Sequence, residues 1–476
     1  MSTKLRLIVM NFLQFAIWGS YLVCIGNFLG RVGLGDYISW FYVAQGIVSI
    51  FMPAIIGAIA DKFVEPQRLL GISHLLAAGA MAVTAWFGIE ATAEAARQTT
   101  AQLAAGTAPE ALELAGDIWP IFIPYLVSVA FYMPTIALSN TVAFSILKSQ
   151  GYDTVKEFPP IRVWGTVGFI AAMWFVNFVG FGGTSIELET AADGSATMQL
   201  LPQAAQFTYM QLIICSIFGV LLGLYSFTLP RCPIDRSTSQ EKKSFAQRFG
   251  LDAFVLFKQK KMALFFLFSM LLGVSLQITN GFATPYINSF AASSDSWFAQ
   301  NPTLLVSVSQ VSEALCILLI PFCLKRFGIK KVMLMAMTAW VLRFGFFGAG
   351  TTESVLGVML LFLSCIVYGA AFDFFNVSGA LFVEQEASKP MQASAQGLFM
   401  LMTNGIGASV GTWIAGKVVS HYCSWQGGYL LPQSDVEGGW VATWLIFAAY
   451  AAVVTIAFAL LFRYKHNPEQ LGAVKH

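Results

Sequence analysis

The chain has 476 residues, of which 57% are hydrophobic and only 11% are charged. Ordinary globular proteins carry about 25% charged residues, and a soluble protein of this size could not bury so many apolar side chains. The composition therefore excludes a soluble enzyme, a nucleic-acid-binding protein and a disordered chain. It predicts an all-α membrane protein, because the apolar stretches are long and continuous rather than the short alternating segments of a β-barrel.

A transmembrane helix needs about 20 mostly apolar residues, and the sequence contains twelve such runs. In chain order they are 5–29, 38–60, 69–90, 119–147, 160–182, 207–229, 262–287, 303–324, 332–350, 354–376, 394–418 and 440–463. We expect no secretory signal peptide, because the first run is too long for the apolar region of one and no small-residue cleavage site follows it.

The basic residues indicate how the chain crosses the membrane, because Lys and Arg concentrate in cytoplasmic loops. With the N-terminus in the cytoplasm, the inward-facing segments carry 22 of the 27 Lys and Arg residues. The others are Arg31 and Arg97 in outer loops, Lys417 near an outer helix end, and Arg162 and Arg343 within or at the edge of spans. We therefore expect both termini to be cytoplasmic.

The charge-rich segment 230–261 divides the spans six and six, and two short charged links occupy matching places in the two halves. GAIADKF (57–63) follows the second span and LKRFGIKK (324–331) follows the eighth. This pattern predicts two parallel repeats in the major facilitator architecture, with bundles at 1–230 and 262–476 and a cytoplasmic linker at 231–261. The first link resembles the Gly-x-x-x-Asp-Arg/Lys-x-Gly-Arg motif of that superfamily without its later Gly. Asp61 would act there as a gate contact, the alternative being an ordinary charged turn.

The sequence gives no sign of a cofactor, metal site or nucleotide site. Its seven cysteines form no CxxC pair and are expected to be free, mostly buried thiols. Its four histidines lack metal-binding spacing, and no G-x-x-x-x-G-K-[ST] motif occurs, which argues against ATP-driven transport. The segments 91–117 and 183–206 are expected to be solvated outer connectors with no assigned chemistry.

Four spans carry short polar or aromatic stripes, and such residues are expensive inside a bilayer unless they face the bundle interior or a wet cavity. The stripes comprise Arg162, Thr166 and Phe169 in span 5, Gln277 and Asn280 in span 7, Gln310 and Glu313 in span 8, and Tyr368, Phe372, Phe375 and Asn376 with flanking Asp373 in span 10. The amides could also be interhelical hydrogen-bonding groups, and Arg162 could snorkel to the cytoplasmic face. Arg343 in span 9 has no partner identifiable from sequence and is interpreted as structural.

This set of groups suits a flat, neutral ligand that carries hydroxyls. A base ring can stack on Phe or Tyr, amides can bind its edge, and Asp and Arg suit sugar hydroxyls. A carboxyl in a low-dielectric cavity can hold a proton near neutral pH, which makes Asp373 and Glu313 candidates for proton coupling.

Several long strings resemble one known family through nearly all twelve spans. They are FLQFAIWGSYL (12–22), FPPIRVWGTVGF (158–169), GLDAFVLFK (250–258), FSMLLG and LQITN (within 268–280), SQVSE (309–313), VYGAAFDFFNVSG (367–379) and ASAQGLFMLMTNG (393–405). By these strings the chain resembles the bacterial nucleoside:proton symporters of the nucleoside permease and xanthosine permease type, within the major facilitator superfamily.

The resemblance implies proton-coupled nucleoside uptake by alternating access in the cytoplasmic (inner) membrane. It implies uridine, adenosine or similar nucleosides as substrates, the lipid bilayer as surroundings, a monomeric state, and neither a cofactor beyond the coupling proton nor a nucleic-acid partner. The nucleoside contacts of the family fall on Arg162, Thr166, Phe169, Gln277, Asn280, Gln310, Glu313, Tyr368, Phe372 and Asp373. The likeness suggests base recognition by the amides and Glu313, and ribose recognition by Arg162, Tyr368 and Asp373.

Three other functions are alternatives to this one. A proton symporter for sugars or oligosaccharides would use similar carboxyls, Arg and aromatic rings. A membrane enzyme would need a His, Cys or paired-carboxylate constellation at one membrane face, and a sensor would need an added signalling domain; the sequence indicates neither. Purine and pyrimidine nucleosides are not distinguished by the sequence.

Overall fold

The computed structural model describes residues 2–108, 111–180, 182–190, 196–232 and 251–464. The chain divides into two compact units. The first comprises Met1–Lys242, Asn280–Leu304 and Cys423–Leu431, and the second comprises Lys243–Thr279, Leu305–Tyr422 and Pro432–His476. Long apolar helices dominate both units, as expected from the composition.

The described part of the first unit contains seven helices of the N-terminal half with two paired strands, helical segments from Asn280–Leu304 and two short strands from near Cys423–Leu431. The helices are α1 (Thr3–Gly19), α2 (Ile25–Arg31), α3 (Ile38–Lys62), α4 (Pro66–Ala104), α5 (Trp119–Ser149), α6 (Thr154–Phe178) and α7 (Met210–Ser226). The paired strands are β1 (Thr184–Thr190) and β2 (Ala196–Pro202), which pair antiparallel.

The chain between the two halves of the predicted first span leaves the helical conformation, so that this span is two helices, α1 and α2. The interruption frees main-chain carbonyl groups inside an apolar unit, where an unpaired carbonyl is costly. The hydroxyl of Tyr42 donates to the carbonyl of Leu22, and the hydroxyl of Thr284 donates to that of Val23. The break is therefore stabilised by side chains from other helices.

Helix α4 extends far beyond its predicted apolar run, and this corrects our expectation of a solvated connector from residue 91. Residues 91–104 include six Ala and two Gln, which favour helix. The Gln98 amide exchanges hydrogen bonds of 3.0 and 3.1 Å with the backbone of Ala115, and Gln102 likewise pairs with Glu113. Similarly, within 183–206 the described residues form the paired strands β1 and β2, which pack on α4, in place of a plain connector.

The second unit contains the remaining long helices. They are α8 (Lys260–Leu276), α11 (Pro302–Phe327, which starts in the first unit), α12 (Ile329–Ala349), α13 (Val355–Glu386), α14 (Gln392–Met400), α15 (Ala408–Tyr422) and α16 (Gly439–Leu461). Between α8 and α11, most of α9 (Ile278–Ser289) and the short α10 (Trp297–Gln300) lie in the first unit. The strands β3 (Cys423–Gln426) and β4 (Tyr429–Pro432) form a second small sheet. A π-helical segment, Leu401–Gly407, joins α14 to α15.

Glycines allow very close helix crossings in both units. In the first unit, a Cβ atom on Gly168 of α6 would clash with the carbonyl oxygen of Phe12 of α1. In the second unit, a Cβ on Gly411 of α15 would clash with the backbone of Val274 of α8 in the same way. Small residues let transmembrane helices approach to backbone contact. The fifth and eleventh predicted spans thus pack on the first and seventh alike, as the predicted internal repeat requires.

Each of the twelve predicted runs coincides with a helix or a pair of helices in the described residues. Ten helices in this part of the chain are long and apolar enough to cross a membrane. Helices α1 and α7 are shorter, with 17 residues each. The predicted all-α membrane fold is confirmed, and the count of twelve crossings stays a prediction.

Candidate functional site

A close crossing of α11 and α13 forms the core of the candidate site in the second unit. A Cβ atom on Gly369 of α13 would overlap the backbone of Ser312 in α11, and the Ser312 hydroxyl donates to the carbonyl of Ile366. This contact brings Glu313 close to Tyr368 and Asp373, with both of which it interacts electrostatically. Two carboxyl groups on two helices therefore share one polar cluster.

Two of the predicted site residues have a buried acceptor atom with no hydrogen-bond partner among the described residues. The two atoms are Oδ2 of Asp373, a residue that is 6% exposed, and Oε1 of Gln310, which is 8% exposed. An unsatisfied buried polar group costs about 1–3 kcal/mol. Such atoms are found where a ligand, a proton or water completes the bonding.

An aromatic stack lies beside the two carboxyl groups. The rings of Tyr368 and Phe372, one turn apart on α13, are stacked with centroids 5.7 Å apart and an interplanar angle of 18°. Trp340 of α12 meets the Tyr368 ring edge-on at 5.9 Å. The sequence spacing predicted that Tyr368 and Phe372 share one face of the helix, and the structure places both near Asp373. The cluster combines acid groups with flat apolar surface, which suits a ring bearing hydroxyls.

Arg343 also belongs to this cluster, although the sequence suggested only a structural role. Its guanidinium carbon lies 4.3 Å from the centre of the Tyr368 ring, and the residue is 1% exposed. The signal that could have identified it is its cost, because an Arg in the middle of an apolar span is rarely kept without a partner. Its target was not visible, since it lies on another helix.

The predicted residues of span 5 lie in the first unit, on α6. The guanidinium of Arg162 sits 4.0 Å from the centre of the Phe15 ring and interacts electrostatically with Tyr132. Phe169 is buried and meets the indole of Trp18 edge-on at 6.3 Å. Thr166 is half-buried on the same helix. Trp18 was not singled out from sequence, although it lies near the middle of the first predicted span.

Span 7 is interrupted at one of its predicted site residues. Gln277 separates α8 from α9, and it is half-buried, as is Asn280 one turn later. The carbonyl of Asn280 accepts a hydrogen bond of 2.9 Å from Tyr42 within the first unit. Discontinuous helices are a common feature of transporter binding sites, so the break supports the interest of this pair.

Asp61 lies in the last turn of α3, but its side chain is outside the described part of the structure. Its predicted gate contact is therefore not tested. Among the described residues, no group of three or more His, Cys, Asp or Glu side chains is arranged to hold a metal ion. All seven cysteines are free thiols, and six of them are buried.

Comparison with known proteins identifies the family. The model of the nucleoside H⁺ symporter family matches residues 1–93 and 111–467. The xanthosine permease of Escherichia coli (strain K12) is 42% identical over 485 residues, covering 100% of both chains. The nucleoside permease NupG of the same organism is 40% identical over 472 residues, covering 98% of this chain and 97% of its own.

Solved structures agree with this assignment. The crystal structure of the nucleoside transporter NupG matches with a TM-score of 0.78 at 38% identity, covering 98% of this chain and 100% of that chain. The xylose transporter XylE of E. coli, in an inward open conformation, matches at 11% identity with a TM-score of 0.61, covering 99% and 98% of the two chains. This second likeness concerns the fold alone, and it confirms the predicted major facilitator fold. The chain is thus a multi-pass transporter and not an enzyme, and it belongs to the nucleoside H⁺ symporter family.

Proposed function

We propose that this symporter takes up nucleosides such as uridine, adenosine or xanthosine, and that the cluster on α11 and α13 couples their entry to protons. The observation that carries the proposal is the grouping of Asp373, Glu313 and Tyr368 at the Gly369 crossing. A carboxyl that is buried beside a second carboxyl is poised to exchange a proton, since two like charges in one site oppose each other. Binding that favours one protonation state links uptake to the proton gradient.

Within this proposal, the substrate contacts come from spans 5, 7, 8 and 10. Gln277, Asn280, Gln310 and Glu313 would bind the edge of the base, while Tyr368 and Phe372 provide flat surface. Arg162, Thr166 and Phe169 of span 5 are the other proposed contacts. Hydroxyls of ribose suit Asp373, Tyr368 and Arg162, because each pairs a strong donor or acceptor with a sugar hydroxyl.

The proposal includes a membrane arrangement. The transporter lies in the cytoplasmic membrane as a monomer with both termini in the cytoplasm, and two six-helix bundles, 1–230 and 262–476, alternate access. The distribution of Lys and Arg supports this orientation. Asp61 is proposed as a gate contact from its place in the link between the second and third spans. The proton is proposed to be the sole coupling agent, with no further cofactor.

Uptake into proteoliposomes tests the proposed function. With a pH gradient of about one unit, acidic outside, we expect radiolabelled uridine to accumulate about tenfold, because one pH unit per proton is worth about 1.4 kcal/mol. A protonophore should remove this accumulation. Unlabelled adenosine should compete, whereas free ribose and xylose should not. Competition by the sugars alone would favour the sugar symporter, and gradient-independent behaviour of every nucleoside would contradict the proposal.

A further inference from the structure

The side chain of Arg343 is a buried permanent cation whose position the proposed transport mechanism does not explain. It is 1% exposed on α12, and among the described residues no carboxylate lies within ion-pairing distance of it. A charge held inside a membrane-spanning bundle is expensive and marks function more often than structure. The contacts of Arg343 should therefore explain why a cation is kept at this position.

Two serines hold the guanidinium in one place. Its Nη1 donates to Oγ of Ser309 on α11 at 3.2 Å and to the carbonyl of Ser364 on α13 at 2.9 Å. The hydroxyl of Ser364 in turn donates to the carbonyl of Arg343 at 2.8 Å. Three helices are thus joined at this point, and the planar guanidinium has little freedom to move.

The fixed cation lies against the ring that faces the two carboxyl groups. Tyr368 contacts Arg343 at 4.3 Å, stacks on Phe372, and interacts electrostatically with Arg343, Glu313 and Asp373. A cation at this distance from an aromatic ring attracts it, more strongly in a dry environment. The Tyr368 ring is therefore held between a cation and a pair of acids.

We propose that Arg343 is a positioning residue of the transport site, which holds Tyr368 against the substrate and whose charge eases release of the proton from the Asp373–Glu313 pair. The proposal rests on the proposed function for the identity of substrate and coupling ion. Arg343 acts through Tyr368, and it needs no contact with the nucleoside itself.

Several titratable groups of the described residues meet in this cluster, on α11, α12 and α13. They are Glu313 and Cys316 of α11 and Tyr368, Cys365 and Asp373 of α13, with Arg343 of α12 as the cation. The carboxyl pair is the part of this set that exchanges protons near neutral pH in the proposed mechanism. Loss of the cation should therefore appear in the pH dependence of transport.

Three variants separate positioning from charge. In Arg343→Gln the charge is lost, and we expect the KM for uridine to rise about tenfold. We also expect the pH of half-maximal uptake to move upward by roughly half a unit or more, since a nearby cation favours ionised carboxylates. Arg343→Lys keeps the charge without the planar fork, so it should keep the wild-type pH profile with a KM raised roughly threefold. Ser309→Ala, which removes one anchor, should do the same.

Each result then supports or overturns the proposal. A folded Arg343→Gln protein with wild-type KM and wild-type pH profile would show that Arg343 is only structural. If that variant fails to fold, Arg343→Lys and Ser309→Ala decide, and wild-type KM in both would overturn the proposal. If wild-type protein fails to take up uridine, the proposed function fails separately. The inference is then tested by the melting temperatures of wild type and Arg343→Gln, measured against pH. Their difference should change across the titration of the carboxyl pair, because only the wild type keeps the cation. A constant difference would overturn the inference.

Discussion

Replacing Asp373 by asparagine is expected to abolish accumulation of nucleoside while leaving the protein folded. The asparagine has nearly the same shape but cannot carry a proton, and Oδ2 of Asp373 has no partner whose bond would be lost among the described residues. Under a gradient of about one pH unit, the wild type should accumulate uridine about tenfold and the variant about onefold. Exchange of labelled for unlabelled uridine, which needs no net proton movement, should persist in the variant.

Asp435→Asn is the matched control for this experiment. Asp435 is an exposed carboxyl in the chain that precedes α16, so the same change of chemistry there should leave accumulation at the wild-type level. If Asp373→Asn still concentrated uridine tenfold, Asp373 would not be needed for proton coupling. Glu313 would then become the principal candidate for the coupling group.

Truncating Gln310 to alanine is expected to weaken nucleoside binding strongly. Its Oε1 is buried without a hydrogen-bond partner in the part of the chain that the structure describes, which is the arrangement expected of an amide that binds the edge of a base. Losing the ligand bond should raise the KM for uridine about tenfold or more, with little change in maximal rate. The measurement is initial uptake rate against uridine concentration at fixed pH.

The unliganded protein should not be destabilised by this change. Removing the unpartnered Oε1 relieves a desolvation cost, which offsets the packing lost on truncation, so the melting temperature without uridine should change little. Gln392→Ala is the matched control, because Nε2 of Gln392 donates to the carbonyl of Glu384 at 2.8 Å near the start of α14. A wild-type KM in Gln310→Ala would remove this residue from the proposed site.

The sequence predicted the membrane class, the positions of the apolar helices and the family, because long apolar runs and extended family strings are local features. It missed the interruptions. The break between α1 and α2 depends on hydrogen bonds from Tyr42 and Thr284, which come from distant helices. The extension of α4 beyond residue 90 depends on helix propensity and glutamine side-chain bonds that hydropathy does not report.

For the candidate site, helical periodicity placed Tyr368, Phe372 and Asp373 together because they lie on one helix. It could not place Glu313 beside them, since that contact depends on the absence of a side chain at Gly369. The contacts of Arg343 could not be predicted either. Its partners, Ser309 and Tyr368, lie on two other helices, and periodicity describes one helix at a time.

The account is tested most directly by measuring proton entry that uridine itself causes. Proteoliposomes containing a pH-sensitive dye, with equal pH on both sides and no membrane potential, should acidify inside when uridine is added outside. We expect about one proton for each uridine taken up, and no acidification with Asp373→Asn protein. Entry of uridine into wild-type vesicles without any acidification would contradict proton symport through this cluster.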